Sequence, residues 1–124
     1  MDDGGTARRD DRVFKALGDV TRRRLLDELA SGPRTTGELC DLHPEMTRFG
    51  VMAHLKVLEE VDLVLVTREG RVRRRHLNPV PIRQIYERWV RPFAELPAAE
   101  LTGLERSVRE RVARESRKRK ESAR

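Results

Sequence analysis

The chain has 124 residues, 37% of them apolar and 39% charged, which suits one compact domain with a polar surface and a tail. No apolar run reaches membrane-spanning length, residues 1–11 lack the apolar core of a secretory signal, and the single cysteine, Cys40, excludes an intramolecular disulfide, so a cytoplasmic protein is expected. The net charge of +6 lies in the tail: residues 106–124 hold nine Arg/Lys against three Glu, while residues 1–105 hold eighteen of each sign.

Residues 1–9 are small, polar and glycine-containing, and their composition predicts disorder. Val13, Phe14 and Leu17 predict a short helix over residues 10–17, stopped by Gly18. Asp19 stands where it would cap a helix over 20–30, with Leu25, Leu26 and Leu29 at helical spacing and Gly32-Pro33 as its end. "TTGEL" (Thr35–Leu39) has the form of a capping box, with Thr35 followed three residues later by Glu38, and starts a short helix ending near Leu42. After the tight connection "HPEM", the apolar period predicts a helix from Thr47 to Val61. Two short helices joined by a tight turn are a helix-turn-helix signal.

"LVLVTREGRVRRRHLN" reads as a β-hairpin, with Val64–Thr67 going out, Gly70 turning and Val72–Leu77 returning. The expected fold is therefore mainly α with a small β-hairpin, a winged helix-turn-helix with N- and C-terminal dimerisation helices, its domain over residues 10–93 including the dimerisation helix. Ile82, Ile85, Tyr86, Trp89 and Phe93 form an apolar stripe too wide for a small domain to bury on itself. With Val13, Phe14 and Leu17 they are the candidate homodimer interface. Residues 94–124 are expected to form a C-terminal helix and a basic tail. Leu101, Leu104, Val108 and Val112 lie on one side of that helix, and residues 117–124 are expected to fray. The tail is read equally as a DNA contact or as a solubilising helix end.

The helix beginning at Thr47 has two apolar sides. Leu55 and Leu58 fall within about 40° of Val51, and the three make the core face. Phe49, Met52, Ala53 and Lys56 lie opposite, with Arg48 beside them. Gly50 and Ala53 keep the helix slim enough for a major groove about 12 Å wide, where Phe49 and Met52 would meet thymine methyls and Arg48 a guanine or phosphate. The competing reading buries Phe49 and Met52 against a neighbouring element or a protein partner. "TREGRVRRRH" (Thr67–His76) carries five arginines against one glutamate. Arginine forks bind phosphate bidentately, although a charged edge strand is also a common guard against aggregation. Alternation puts Arg71, Arg73 and Arg75 on one side of the returning strand, and Arg68 and Arg74 on the other or at the edge. The candidate DNA contacts are Thr36, Thr47, Arg48, Phe49, Met52, Ala53, His54, Lys56, Arg68, Arg71, Arg73, Arg74 and Arg75.

Arg22, Arg23 and Arg24 open a helix, where cations oppose the macrodipole, so compensation such as an Arg23–Asp27 pair is expected. Cys40 and His43 supply two ligands and not four, so no metal site is assigned. No paired nucleophile and base and no phosphate loop is present, so neither an enzyme nor a cofactor is expected. The expected partners are double-stranded DNA and a second copy of the chain.

The segments "FKALGDVTRRRLLDELASGPRTTGELC", "MTRFGVMAHLKVLEEVDLVLVTREGRVRRRHLN" and "PVPIRQIYERWVRPF" resemble the ArsR family of bacterial winged-helix repressors, in a metal-independent subgroup. The resemblance implies a homodimer built on the first and last helices, an imperfect palindrome near its own promoter as the target, and recognition through the helix beginning at Thr47. It also implies that Thr47, Arg48, Met52 and Ala53 occupy positions that touch DNA. The Cys-x-Cys pair of metal-sensing members is replaced here by "LCDL", so metal sensing is not carried over. A protein-interaction module that uses the same face is the alternative from another class.

Overall fold

The computed structural model describes residues 3–123 and divides after Glu87 into two compact units, earlier than the expected boundary at Phe93. Among the described residues no helix is long and apolar enough to cross a membrane.

In the first unit, helix α1 runs Asp3–Leu17. Residues 3–9, for which composition predicted disorder, extend it, and residues 4–9 are exposed; residues 1 and 2 lie outside the described residues. Val13 and Ala16 anchor α1 in the core, and each residue added to an anchored helix gains a hydrogen bond without a new nucleus. Gly18 follows α1 for reasons of space, since a Cβ there would sit 3.2 Å from the Lys15 carbonyl oxygen.

Helix α2 spans Val20–Ala30. Asp19 caps it, its Oδ1 accepting from the amides of Thr21 at 2.8 Å and Arg22 at 3.1 Å. The cations in its first turn are compensated by another helix and not by Asp27. Arg22 Nε donates to the Ala16 carbonyl at 2.7 Å and Arg23 Nη1 to the Leu17 carbonyl at 2.7 Å. They thus complete the C-terminal end of α1, where positive charge is favoured. The amide of Arg22 is the main cause that holds the Asp19 carboxyl below its ordinary range. A carboxyl lowered on folding stabilises the folded state above its unfolded value and loses that contribution as pH falls through the folded value. Asp19→Asn keeps a capping oxygen, so it is expected to leave neutral-pH stability within about 0.5 kcal/mol while flattening the loss of stability below about pH 4. Thermal melts from pH 7 to 2 check this; an unchanged acid limb would remove Asp19 as a contributor.

After Gly32 (φ +144) comes strand β1, Arg34–Thr35, which the sequence pattern does not predict. Helix α3, Thr36–Asp41, opens with the expected capping box of Thr35 and Glu38. Helix α4, Arg48–Glu60, is capped by Thr47, whose hydroxyl accepts from the Gly50 amide at 3.0 Å. Strands β2, Val64–Glu69, and β3, Val72–Leu77, form the wing. Gly70 has φ +63 at the first of two turn positions, where a tight hairpin admits glycine without strain. The sheet is antiparallel in the order β1-β3-β2, with β2 as an outer strand that exposes Leu65 and Val66.

The core gathers Val13 and Ala16 of α1, Leu25, Leu26 and Leu29 of α2, Leu39 of α3, Val51, Leu55 and Leu58 of α4, then Leu63, Val64 and Ile85. Ile85 ends helix α5, Val80–Ile85. Val13 and Ile85 were candidate interface residues. Both are buried inside the single chain and leave almost no side-chain surface for a partner.

A widened π turn, Tyr86–Val90, leads to helix α6, Arg91–Ala94. Pro92 has no N–H to return to the carbonyl four residues back, and the wider turn just upstream absorbs the mismatch. The helix that carries the expected dimerisation stripe thus changes pitch between Ile85 and Arg91. In the second unit Trp89 and Phe93 pack with ring centroids 4.9 Å apart and planes tilted by 53°. Helix α7, Ala98–Ser122, continues through most of the segment expected to fray. It carries i,i+4 pairs such as Arg109–Glu105 at 2.8 Å and leaves Leu101, Leu104, Val108 and Val112 exposed.

Candidate nucleic-acid interface

Helix α4 is held by one face and presents the other. Val51, Leu55 and Leu58 are fully buried, whereas Phe49 is 86% exposed. Arg48, Ala53 and Lys56 are exposed beside it, and Met52 is half-buried. Thr47, also exposed, starts the helix. The competing expectation that Phe49 packs on a neighbouring element of this chain is therefore not met.

The wing stands next to this face. A hollow of about 470 Å³ opens between them, lined by Phe49, Met52, Ala53, Lys56, Glu59, Arg73 and Arg75. Arg68 is the direct cross-strand partner of Arg73, so these two side chains share a face of the sheet. Alternation alone had placed Arg68 with Arg74; the register of the hairpin corrects this. Like charges directly opposite one another repel, and an anion between them relieves the repulsion. Arg71 projects from the turn and is exposed. Arg74 lies on the other side of β3, half-buried, with Glu69 3.8 Å away.

Three expected contacts lie elsewhere. Arg75 is only 1% exposed. Its guanidinium donates to the Thr36 hydroxyl, its Nε is 3.5 Å from Glu59 Oε1, and its Nη2 is 3.9 Å from Met52 Sδ. Thr36 is itself buried and its hydroxyl is engaged by Arg75. His54 faces the start of α2, with Nδ1 3.3 Å from Arg22 Nη1 and 3.9 Å from Asp19 Oδ1. Glu59, which holds Arg75 in place, was not singled out in the sequence, and Arg22, which faces His54, was read there only as a cation at a helix start. Their partners lie 16 and 32 residues away, beyond the reach of helical or strand periodicity. His43, the turn histidine, is buried with Nε2 2.8 Å from Glu28 and Nδ1 3.4 Å from Glu45.

The candidate dimer residues divide similarly. Phe14, Leu17, Ile82 and Tyr86 are half-buried, and Arg83 stacks 5.4 Å from the centre of the Tyr86 ring. Trp89 and Phe93 are each 56% exposed.

Comparison with known proteins agrees with this arrangement. Residues 17–67 match a helix-turn-helix domain family. The uncharacterized HTH-type transcriptional regulator YuzN of Bacillus subtilis is 39% identical over 88 residues, covering 64% of this chain and 94% of the relative. The crystal structure of an ArsR family transcriptional regulator, RHA00566, superposes with a TM-score of 0.64 at 30% identity, covering 72% of this chain and 90% of that one. The solution structure of Mb0332 from Mycobacterium bovis, described as a homodimeric winged helix-turn-helix DNA-binding domain, superposes with a TM-score of 0.61 at 26% identity, covering 72% of this chain and 82% of that one. With its capped α3–α4 pair, its arginine-bearing wing and these relatives, the chain belongs to the ArsR family of winged helix-turn-helix transcriptional regulators.

Proposed function

We propose that this chain is a cytoplasmic, homodimeric repressor that binds double-stranded DNA sequence-specifically and has no catalytic activity of its own. Two α4 helices enter successive major grooves, roughly 34 Å apart, at an imperfect palindrome near its own promoter. The observation that carries this reading is the exposed face of α4 beside the unrelieved Arg68–Arg73 pair. A base-reading surface and a phosphate-binding surface there adjoin one hollow. Arg68, Arg71, Arg73 and Arg74 meet the backbone and set most of the affinity, while Arg48, Phe49, Met52, Ala53 and Lys56 read the groove. With about six to eight phosphates neutralised per dimer, log K falls with log salt at a slope of about −5 to −7.

Arg73→Ala is expected to weaken binding to cognate and random duplexes alike and to make the salt slope shallower by about one for each phosphate it no longer neutralises. Arg48→Ala is expected to weaken the cognate site more, by about 1–3 kcal/mol if Arg48 holds a base through two hydrogen bonds. Selection of bound sequences from random DNA supplies the cognate duplex, and titrations at several salt concentrations read both effects. Equal weakening on both duplexes for Arg48→Ala would sink its base-reading role.

The exposure of Phe49 also favours a second reading, a winged helix whose α4 face binds a protein. A chain that shows no preference for any selected duplex over random DNA at physiological salt would support it.

A further inference from the structure

We infer that Arg75 is a positioning residue for DNA recognition: it meets no phosphate, and sets the angle between the wing and α4 from inside the protein. This inference rests on the DNA-binding reading above. The wing has little apolar anchorage of its own. Every residue of β2 beyond Val64 is exposed, and Arg75 is the one fully buried residue of β3. On an amphipathic strand that position would ordinarily carry valine or leucine. Here it carries a guanidinium that meets three side chains on the two helices of the helix-turn-helix. Thr36 is the first residue of α3, Glu59 lies in the last turn of α4, and Met52 lies on the presented face of α4.

An apolar side chain there would fill space without fixing direction, because dispersion contacts tolerate rotation and sliding. A planar fork with N–H groups at fixed angles does fix direction, and neither lysine nor an aliphatic residue reproduces it. The arrangement is also a poor way to gain stability. Arg75 Nε makes no hydrogen bond and faces Glu59 at 3.5 Å, so a desolvated charge is only partly compensated. Replacing such a buried ion pair with apolar residues of similar volume is often neutral or stabilising, and orientation is one reason for keeping it. Arg73, two residues back on the same face, is exposed to the hollow. A tilt of the wing about Arg75 therefore moves Arg68 and Arg73 relative to the α4 face.

The test compares Arg75→Met, Thr36→Val and Arg73→Ala with the full-length parent, on a selected duplex and on random duplex, across a range of salt. The parent must first discriminate between the two duplexes; failure there overturns the DNA-binding reading, and this inference with it. Arg75→Met is expected to remain folded, with a thermal midpoint below the parent's, because it leaves Glu59 and the Thr36 hydroxyl without their partner. It keeps the parent's salt slope and its affinity for random duplex, and loses about tenfold or more in discrimination. Thr36→Val, which removes only the hydroxyl that Arg75 engages, loses discrimination in the same direction and keeps the slope. Arg73→Ala shows the opposite pattern. If Arg75→Met lowers the slope as Arg73→Ala does, Arg75 swings out to a phosphate and the inference is wrong. Unchanged discrimination in Arg75→Met also overturns it. Should Arg75→Met fail to fold, Thr36→Val decides: discrimination equal to the parent's overturns the inference.

Discussion

Replacing Trp89 and Phe93 together by alanine is expected to shift the protein towards monomer and to weaken binding to a duplex with two half-sites by about 10²–10⁴-fold. The two rings pack in a tilted contact and each remains 56% exposed in the single chain. Fully burying a large apolar side chain stabilises by about 1.5–3 kcal/mol, so the pair offers a second copy a large apolar surface. Without the dimer, each α4 meets its half-site alone, and the second binding event is no longer intramolecular. A duplex carrying one half-site is a control, because a monomer needs no partner to bind it and the variant keeps the parent's affinity there. Sedimentation together with titration of both duplexes checks the prediction. A variant that remains dimeric with full affinity would move the interface to the half-buried residues Phe14, Leu17, Ile82 and Tyr86.

Leu55→Ala is expected to lower the unfolding free energy by about 2–5 kcal/mol, through reduced burial and the cavity left behind. Leu55 is fully buried between Val51 and Leu58 on the core face of α4. Domains of this size are stable by about 5–15 kcal/mol, and each kcal/mol moves the melting temperature by several degrees, so a fall of about 10 °C or more follows. Phe49→Ala, nearer the start of the same helix, removes a larger side chain that is 86% exposed. Its expected effect on stability is within about 0.5 kcal/mol, and its effect falls on DNA binding. Paired thermal melts therefore test which face of α4 is core. A larger drop for Phe49→Ala than for Leu55→Ala would reverse the assignment.

Much of the architecture was legible in the sequence because its signals are local. Asp19 and Thr35 with Glu38 are capping residues that act within three residues of themselves, and they marked the starts of α2 and α3, while apolar period placed the start of α4 at Thr47, the residue that caps it. Gly70 marked the wing turn for the same reason. The burial of Val51, Leu55 and Leu58 followed from helical period alone. What period could not supply was depth and register. Alternation correctly put Arg73 and Arg75 on one face of β3, but the burial of Arg75 depends on Thr36 and Glu59, which lie far away in sequence. The pairing of Arg68 with Arg73 depends on the two-residue turn. Strand β1 has two residues and no alternation to detect. The interface assignment failed at Val13 and Ile85 because an apolar stripe does not say which of its members face the chain's own core.

The outer strand β2 has a consequence for handling. Its free edge runs beside the exposed Leu65 and Val66, the arrangement from which proteins recruit strands of their neighbours. Thr67, Arg68 and Glu69 continue that strand with polar and charged side chains. At about 1 M salt the reach of such charges shrinks to about 3 Å. In concentrated, high-salt stocks the wing then becomes the point where edge-to-edge assembly starts, with every helix still folded. The arginines that would meet phosphate thus also keep unbound copies of the protein apart.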